Sequence, residues 1–294
     1  MCSQLKLMAL VTLGASLVAP AAMAADRPVD VAKPFAQDGS VSIENVAGSI
    51  NVNGWEKGEI KITGTLGEGV EDLAFTVSGN KAIIEVKLKK GTRSHNGGAD
   101  LAINVPRGAS VEVETVSADI DVTNVDRSVD VESVSGAIRL TGHIRDVDAE
   151  SVSGDVTVKG AITKVNAESV SGAVRLEGVS GEIDAETVSG SIDVSGSEIT
   201  GTTCESVSGS ISFAGALSRE GRYSFDSFSG GVELSLPNDT DADVSMSTFS
   251  GRVVNELSAT KVSGKDVSFV LGDGGAKLDI NTFSGSATIR PLAR

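Results

Sequence analysis

Few side chains in this 294-residue sequence are of a type that does chemistry, and those that recur in step are carboxylates. Glu114, Glu132, Glu150, Glu168 and Glu186 follow one another at intervals of 18 residues, and Glu205 and Asp226 continue the series. Two residues earlier in each period stand Glu112, Asp130, Asp148, Asn166 and Asp184. If these segments are strands, residues two apart share a face. Stacking the periods would then build two adjacent columns of carboxylates. Such an array could hold a hard cation such as calcium weakly through oxygen ligands. It could also attract a basic partner, or be a solvated face that keeps the protein soluble. Carboxylates about 4.8 Å apart repel by roughly 0.9 kcal/mol in bulk-water dielectric, which a solvated surface tolerates.

The other reactive types are scattered. His95 and His143 have no second His or Cys at metal-ligand spacing, so both read as loop residues. Cys204 reads as a small buried thiol rather than a nucleophile. The many serines lie in no G-x-S-x-G elbow, and no histidine recurs beside them. Trp55 reads as a packing residue near one end of the fold. Gly272-Asp273-Gly274-Gly275 occurs once, which makes it a turn and not a calcium-binding repeat. No catalytic residue and no cofactor is expected.

Composition narrows the classes. The formal net charge is −15, from 40 acids and 25 bases. An acidic chain offers no electrostatic footprint for nucleic acid. Within residues 108–218 there are 19 acids and 6 bases, whereas 26–107 and 219–294 are close to neutral. The charge is therefore a stripe. Glycine is abundant at 34 residues, and only 3% of the chain is aromatic, so the core must be built from small aliphatics.

The N-terminus has the marks of an export signal. Lys6 precedes the apolar run 7–18, and Ala22-Met23-Ala24 supplies a small-residue cleavage site. The run is shorter than the roughly 20 residues needed to span a membrane. Cleavage after Ala24 removes Cys2 and leaves Cys204 as the one thiol, so no intramolecular disulfide is expected. The expected location is the periplasm or the cell surface, the expected state a monomer, and no membrane insertion is expected after signal removal.

The elements that must position the carboxylates are set by a repeat. Ser133-Val134-Ser135-Gly136 recurs at 151–154, 169–172 and 206–209, with a Thr-initial copy at 187–190. The variant Thr115–Ala118 precedes them, and copies with Phe in place of Val stand at 227–230, 248–251 and 282–285. A faint relative is Asn45-Val46-Ala47-Gly48. Steps of 18 to 21 residues signal a solenoid. Val156-x-Val158 and Val165-x-Ala167 alternate with period two, which means strands. The expected fold is all-β: a single-stranded β-solenoid, or parallel β-helix, with coils of about 18–21 residues, right-handed winding favoured and β caps at both ends. Alternation breaks between Val131 and Val134, and a bulge or corner near Ser133 would restore the phase. The sequence alone leaves open which serine of each repeat faces inward. The expected division is a signal peptide 1–24, an N-terminal β cap and first coils 25–107, regular coils 108–251, and a broadened last coil with a second cap at 252–294.

Residues 48–64, GSINVNGWEKGEIKITG, residues 101–122 and the serial SVSG rungs resemble the bacterial putative-adhesin domain of unknown function, a family of secreted or surface-exposed β-solenoids. The resemblance covers roughly 40–290 and rests on structural motifs. It implies a binding or scaffold role at the cell envelope with an unknown partner, and it carries over no catalytic residues. Ala118 departs from the usual glycine. Two other classes are consistent with parts of the pattern. A β-helix polysaccharide lyase or glycoside hydrolase would pair column carboxylates with Arg139 or Arg175. An ice- or surface-binding protein would present the [Ser/Thr]-x-Ser ladder outward.

Overall fold

β-branched residues at every second position fix extended backbone, and every regular element among the described residues is a strand. The computed structural model describes residues 26–91, 98–257 and 262–292. The expected signal peptide and His95 lie outside them.

Each regular coil is two short strands joined by two corners. In the coil around Gly154, Asp146–Ser151 and Val156–Lys159 are the strands. Asp146–Ser151 pairs in parallel, in register, with Ser128–Ser133 on one side and Lys164–Ser169 on the other. Val156–Lys159 pairs likewise with Ile138–Thr141 and with 174–177. Two parallel ladders thus run the length of the molecule, which is a β-solenoid-like all-β architecture. Val147, Ala149, Val156, Val158 and Ile162 point inward and are buried. Five such aliphatics at about 2 kcal/mol each cannot offset about 1–2 kcal/mol per residue for ordering one coil. A coil is stable only between neighbours.

The corners explain the SVSG string. Ser151 is buried, and its Oγ accepts a hydrogen bond from the Gly154 N–H at 2.9 Å. Ser169 repeats this with Gly172 and also donates to the Gly154 carbonyl at 3.2 Å. The first serine of each repeat is therefore an internal staple. The second lies outside, and its backbone N–H donates to the neighbouring coil, as Ser153 does to the Val134 carbonyl at 2.9 Å. Glycine is required because a Cβ at Gly154 would lie 1.9 Å from the Gly136 carbonyl oxygen. Close approach, not positive φ, is the reason at this position.

One expectation about this corner needs correcting. The corner is at Ser133, but it does not bring Val134 back to the interior. Val134 and Val152 are 48% and 46% exposed.

The chain order at the two ends differs from the stacking order. The coil before Thr115–Ala118 is Asn45–Gly48: Asn45 pairs with Thr115, and Gly48 with Ala118, across 70 residues of sequence. The faint early relative is thus a true rung. Outside it lie Lys81–Leu88 and Ala99–Pro106, and these are covered by antiparallel strands Val70–Ser78 and Glu59–Leu66. At the other end, Ala276–Thr282 inserts between the coil of 222–227 and Ala242–Thr248. Ala287–Pro291 inserts in the same way between Val232–Leu236 and Val253–Asn255. Antiparallel Asp266–Leu271 and Ser263–Gly264 close that end. The expected single broadened coil at 252–294 is therefore a complete inserted coil, the second strand of the outermost coil and a cap. Insertion gives the last coil a partner on each side and leaves antiparallel strands at the edges.

The interior widens where the period lengthens. Phe213, Tyr223 and Phe225 are buried in the coils of 211–236, with Phe213 and Phe225 edge-to-face at 5.3 Å. The Tyr223 hydroxyl donates to the Ile199 carbonyl at 2.6 Å and accepts from the Ser218 N–H at 2.7 Å.

Candidate functional site

Register turns the periodic carboxylates into a physical column. Glu114, Glu132, Glu150, Glu168, Glu186, Glu205 and Asp226 are successive lateral neighbours. Glu44 extends the column at one end, and Asn281 and Ser247 at the other. The second column is also formed, with Glu112, Asp130, Asp148, Asn166 and Asp184 in adjacent register. Asn166 interrupts its charge: the amide donates to Asp148 at 3.0 Å.

The electrostatics are those of like charges held close. Glu114, Asp130, Glu150, Asp184 and Glu186 all titrate above their ordinary values. Partial burial is the larger cause in each, and neighbouring carboxylates add to it. The other ladder is built on the opposite rule. There Arg175 pairs with Asp155 at 3.2 Å, and Lys159 with Glu177 at 3.0 Å. Asp155 is held below its ordinary value, chiefly by the Ala173 N–H and then by Arg175. The fold neutralises one face and leaves the other charged.

Beside the acidic column runs a feature the sequence reading missed. Val116, Val134, Val152, Val170, Val188 and Val207 are each 45–48% exposed, and they stack coil upon coil. Phe228, Phe283 and Phe249 continue the line. Their rings lie nearly parallel, with centroids 4.7 and 4.9 Å apart. Between the two lines lie the buried hydroxyls of the corner serines and threonines. Together they make one open groove of about 1180 Å³, with a carboxylate wall and an apolar wall. Nine coils at about 4.8 Å spacing give it a length of roughly 38 Å. At its far end the Lys265 ammonium donates to the Phe249 carbonyl at 2.9 Å and lies 5.9 Å from that ring. The missed signal was in the string itself: a core position would not accept Phe for Val three times with its neighbours unchanged.

The remaining candidates fall elsewhere. Among the described residues, no group of three or more His, Cys, Asp or Glu side chains is placed to hold a metal ion. Arg139 and Arg175 stand on the second ladder, in register with Asp121 and Asp193, and not beside the acidic column. The carboxylate–arginine pairing expected of a lyase is not assembled there. The first residue of each [Ser/Thr]-x-Ser unit is buried, so that ladder does not face outward as surface binding would need. His143 is exposed at a corner. Cys204 is fully buried, and burial pushes its thiol well above the usual range, which makes it inert. Trp55 ends a strand, donates to the Glu59 carbonyl at 2.9 Å and carries the Lys57 ammonium 4.5 Å over its ring. Residues 272–275 are a turn with glycines at positive φ.

Parallel coils with an antiparallel cap at each end define the class, and the family follows from the sequence they share. Residues 40–290 match the family model "Toastrack DUF4097", and the chain belongs to that family. A Parabacteroides merdae structure named "putative adhesin" is similar over 90% of this chain and 95% of its own, with a TM-score of 0.54 at 11% identity. A Parabacteroides distasonis structure named "putative lipid binding protein" is similar over 90% of this chain and 97% of its own, with a TM-score of 0.52 at 16% identity. Among curated proteins, none matches the chain. At these identities the likeness is one of fold.

Proposed function

We propose that the mature chain is an exported, non-enzymatic β-solenoid that binds at the bacterial cell envelope in an adhesin-like or scaffold role. The architecture inferred for it is a right-handed, single-stranded parallel β-helix of about nine coils, monomeric in solution. In-register parallel pairing at 18-residue offsets supports the coiled, parallel arrangement, and the general preference of parallel β crossovers for right-handed connections supports the hand. One observation carries the functional reading: a continuous groove that presents a row of carboxylates and a line of exposed Val and Phe side chains together. Exposed apolar side chains in a contiguous line mark interaction surfaces. Equivalent coils present the same groups again and again, which suits a binding track better than a single reaction centre.

The test is retention of purified mature protein on envelope fragments. Two double variants, Phe249→Ser with Phe283→Ser and Glu150→Gln with Glu168→Gln, are compared with wild type. Both pairs are on the surface, so folding should persist, and circular dichroism checks it. Each variant should lose about tenfold or more in retention. Retention indifferent to both would remove the groove as the binding face. Export is checked separately: the mature protein should begin at Ala25 and fractionate outside the cytoplasm.

A further inference from the structure

From the groove we infer its occupant: an extended polypeptide segment that alternates basic and apolar side chains. The inference rests on the binding role proposed above and specifies the partner. The two walls set the chemistry. Glu132, Glu150, Glu168 and Glu186 form a row, and the charged neighbours that act on Glu150 and Glu186 are all carboxylates. Glu150 and Glu186 titrate above the ordinary value, first through partial burial and then through neighbouring carboxylates, and a positive neighbour would offset the second cause. The facing line of Val and Phe offers contact to small apolar groups but is one side chain wide. Carboxylates along seven of the nine coils oppose an anionic lipid surface, and they oppose a second copy of this face by like charge.

Length fits the same occupant. A track of roughly 38 Å holds about 11 or 12 residues of extended chain. Successive side chains of an extended segment point to opposite sides, so one side meets the carboxylates and the other the apolar line. The coil spacing of about 4.8 Å does not match the roughly 6.6 Å repeat of like side chains in a strand. Recognition is therefore of pattern and not of one sequence. The protein places one cation of its own against the apolar line. Lys265 places its ammonium by Phe249 at the groove terminus, where it meets ring and carbonyl.

The experiment is a fluorescence anisotropy titration of mature protein with labelled 12-residue peptides. Alternating Lys–Val should bind saturably. Lys–Ser, which keeps the charge, and Glu–Val, which keeps the apolar face, should each bind at least about tenfold more weakly. The Phe249→Ser/Phe283→Ser and Glu150→Gln/Glu168→Gln variants should each weaken Lys–Val binding to a similar degree. Equal binding of Lys–Ser would reduce the effect to polyelectrolyte attraction and overturn the inference. So would binding to zwitterionic or anionic vesicles with no peptide binding. If envelope retention depends on the groove while no peptide binds, the peptide occupant falls and the binding role stands. If retention ignores the groove, the binding role itself falls.

Discussion

Two glycine positions in the coil show how narrowly this fold is specified. Gly154 stands at the SVSG corner and Gly178 at a register shift inside strand Val174–Thr187, and the two are glycine for different reasons. A Cβ on Gly154 would meet the Gly136 carbonyl oxygen at 1.9 Å, and backbone cannot move aside without opening the ladder. Gly178 has φ +71°, and a Cβ there would meet nothing nearer than 3.9 Å. Gly154→Ala should thus cost about 3 kcal/mol through overpacking. Gly178→Ala should cost about 1 kcal/mol through left-handed backbone alone. Urea denaturation midpoints decide the matter, and equal losses would contradict the close-approach argument. Ala118 is consistent with it, because its coil stacks on the non-repeating Asn45–Gly48 rung rather than on another SVSG corner. The sequence shows that glycine recurs at this corner. Whether such a glycine is there for close approach or for its backbone angle depends on distances between residues 18 apart, and no local pattern carries that.

At the level of coils and strands, much was readable from period and alternation. The stacked columns, the buried aliphatics and the Asn45 rung all follow from the spacing. Two things did not follow. The direction of Val134 was hidden because a corner resets the face on which the next residue points. The order of coils at the C-terminal end was hidden because sequence adjacency and spatial adjacency part there. Ala276–Thr282 lies between 222–227 and Ala242–Thr248, so the coil latest in sequence is not outermost. This arrangement predicts an inverted protection pattern. Amide hydrogens of 278–281 should exchange more slowly than those of 244–247, although they are nearer the chain terminus. Removal of 276–294 should also expose the 242–255 coil to rapid exchange, since its inner neighbour is gone. Slower exchange at 244–247 than at 278–281 in the intact protein would show that the coils stack in sequence order.

Over the whole molecule, the net charge of −15 becomes an arrangement with consequences for stability. Glu114, Asp130, Glu150, Asp184 and Glu186 titrate above ordinary values of 4.5 for Glu and 3.8 for Asp. For such groups the fold disfavours the ionised form. Their penalty is complete above the raised value and vanishes as pH falls to the ordinary one. Asp155 and Asp243 have the opposite sign, since Ala173 N–H and Arg175 hold the first down and Lys277 the second. Their contribution is intact above pH 3.8 and is lost as pH falls through the lowered values. Raised groups outnumber lowered ones, so stability should rise as pH falls through the raised values toward the ordinary 4.5 and 3.8, and decline once Asp155 and Asp243 take up protons. Added salt should raise the melting temperature at pH 7 and do little near the maximum, because screening matters only while the column is ionised. Glu150→Gln should likewise stabilise at pH 7 and not at pH 4.5, although it weakens binding in the groove. Dilute samples monitored by circular dichroism avoid association near the pI of about 4.6. A melting temperature that falls steadily from pH 7 to 5, unchanged by Glu150→Gln, would mean that the column is fully solvated and holds no strain for a partner to relieve.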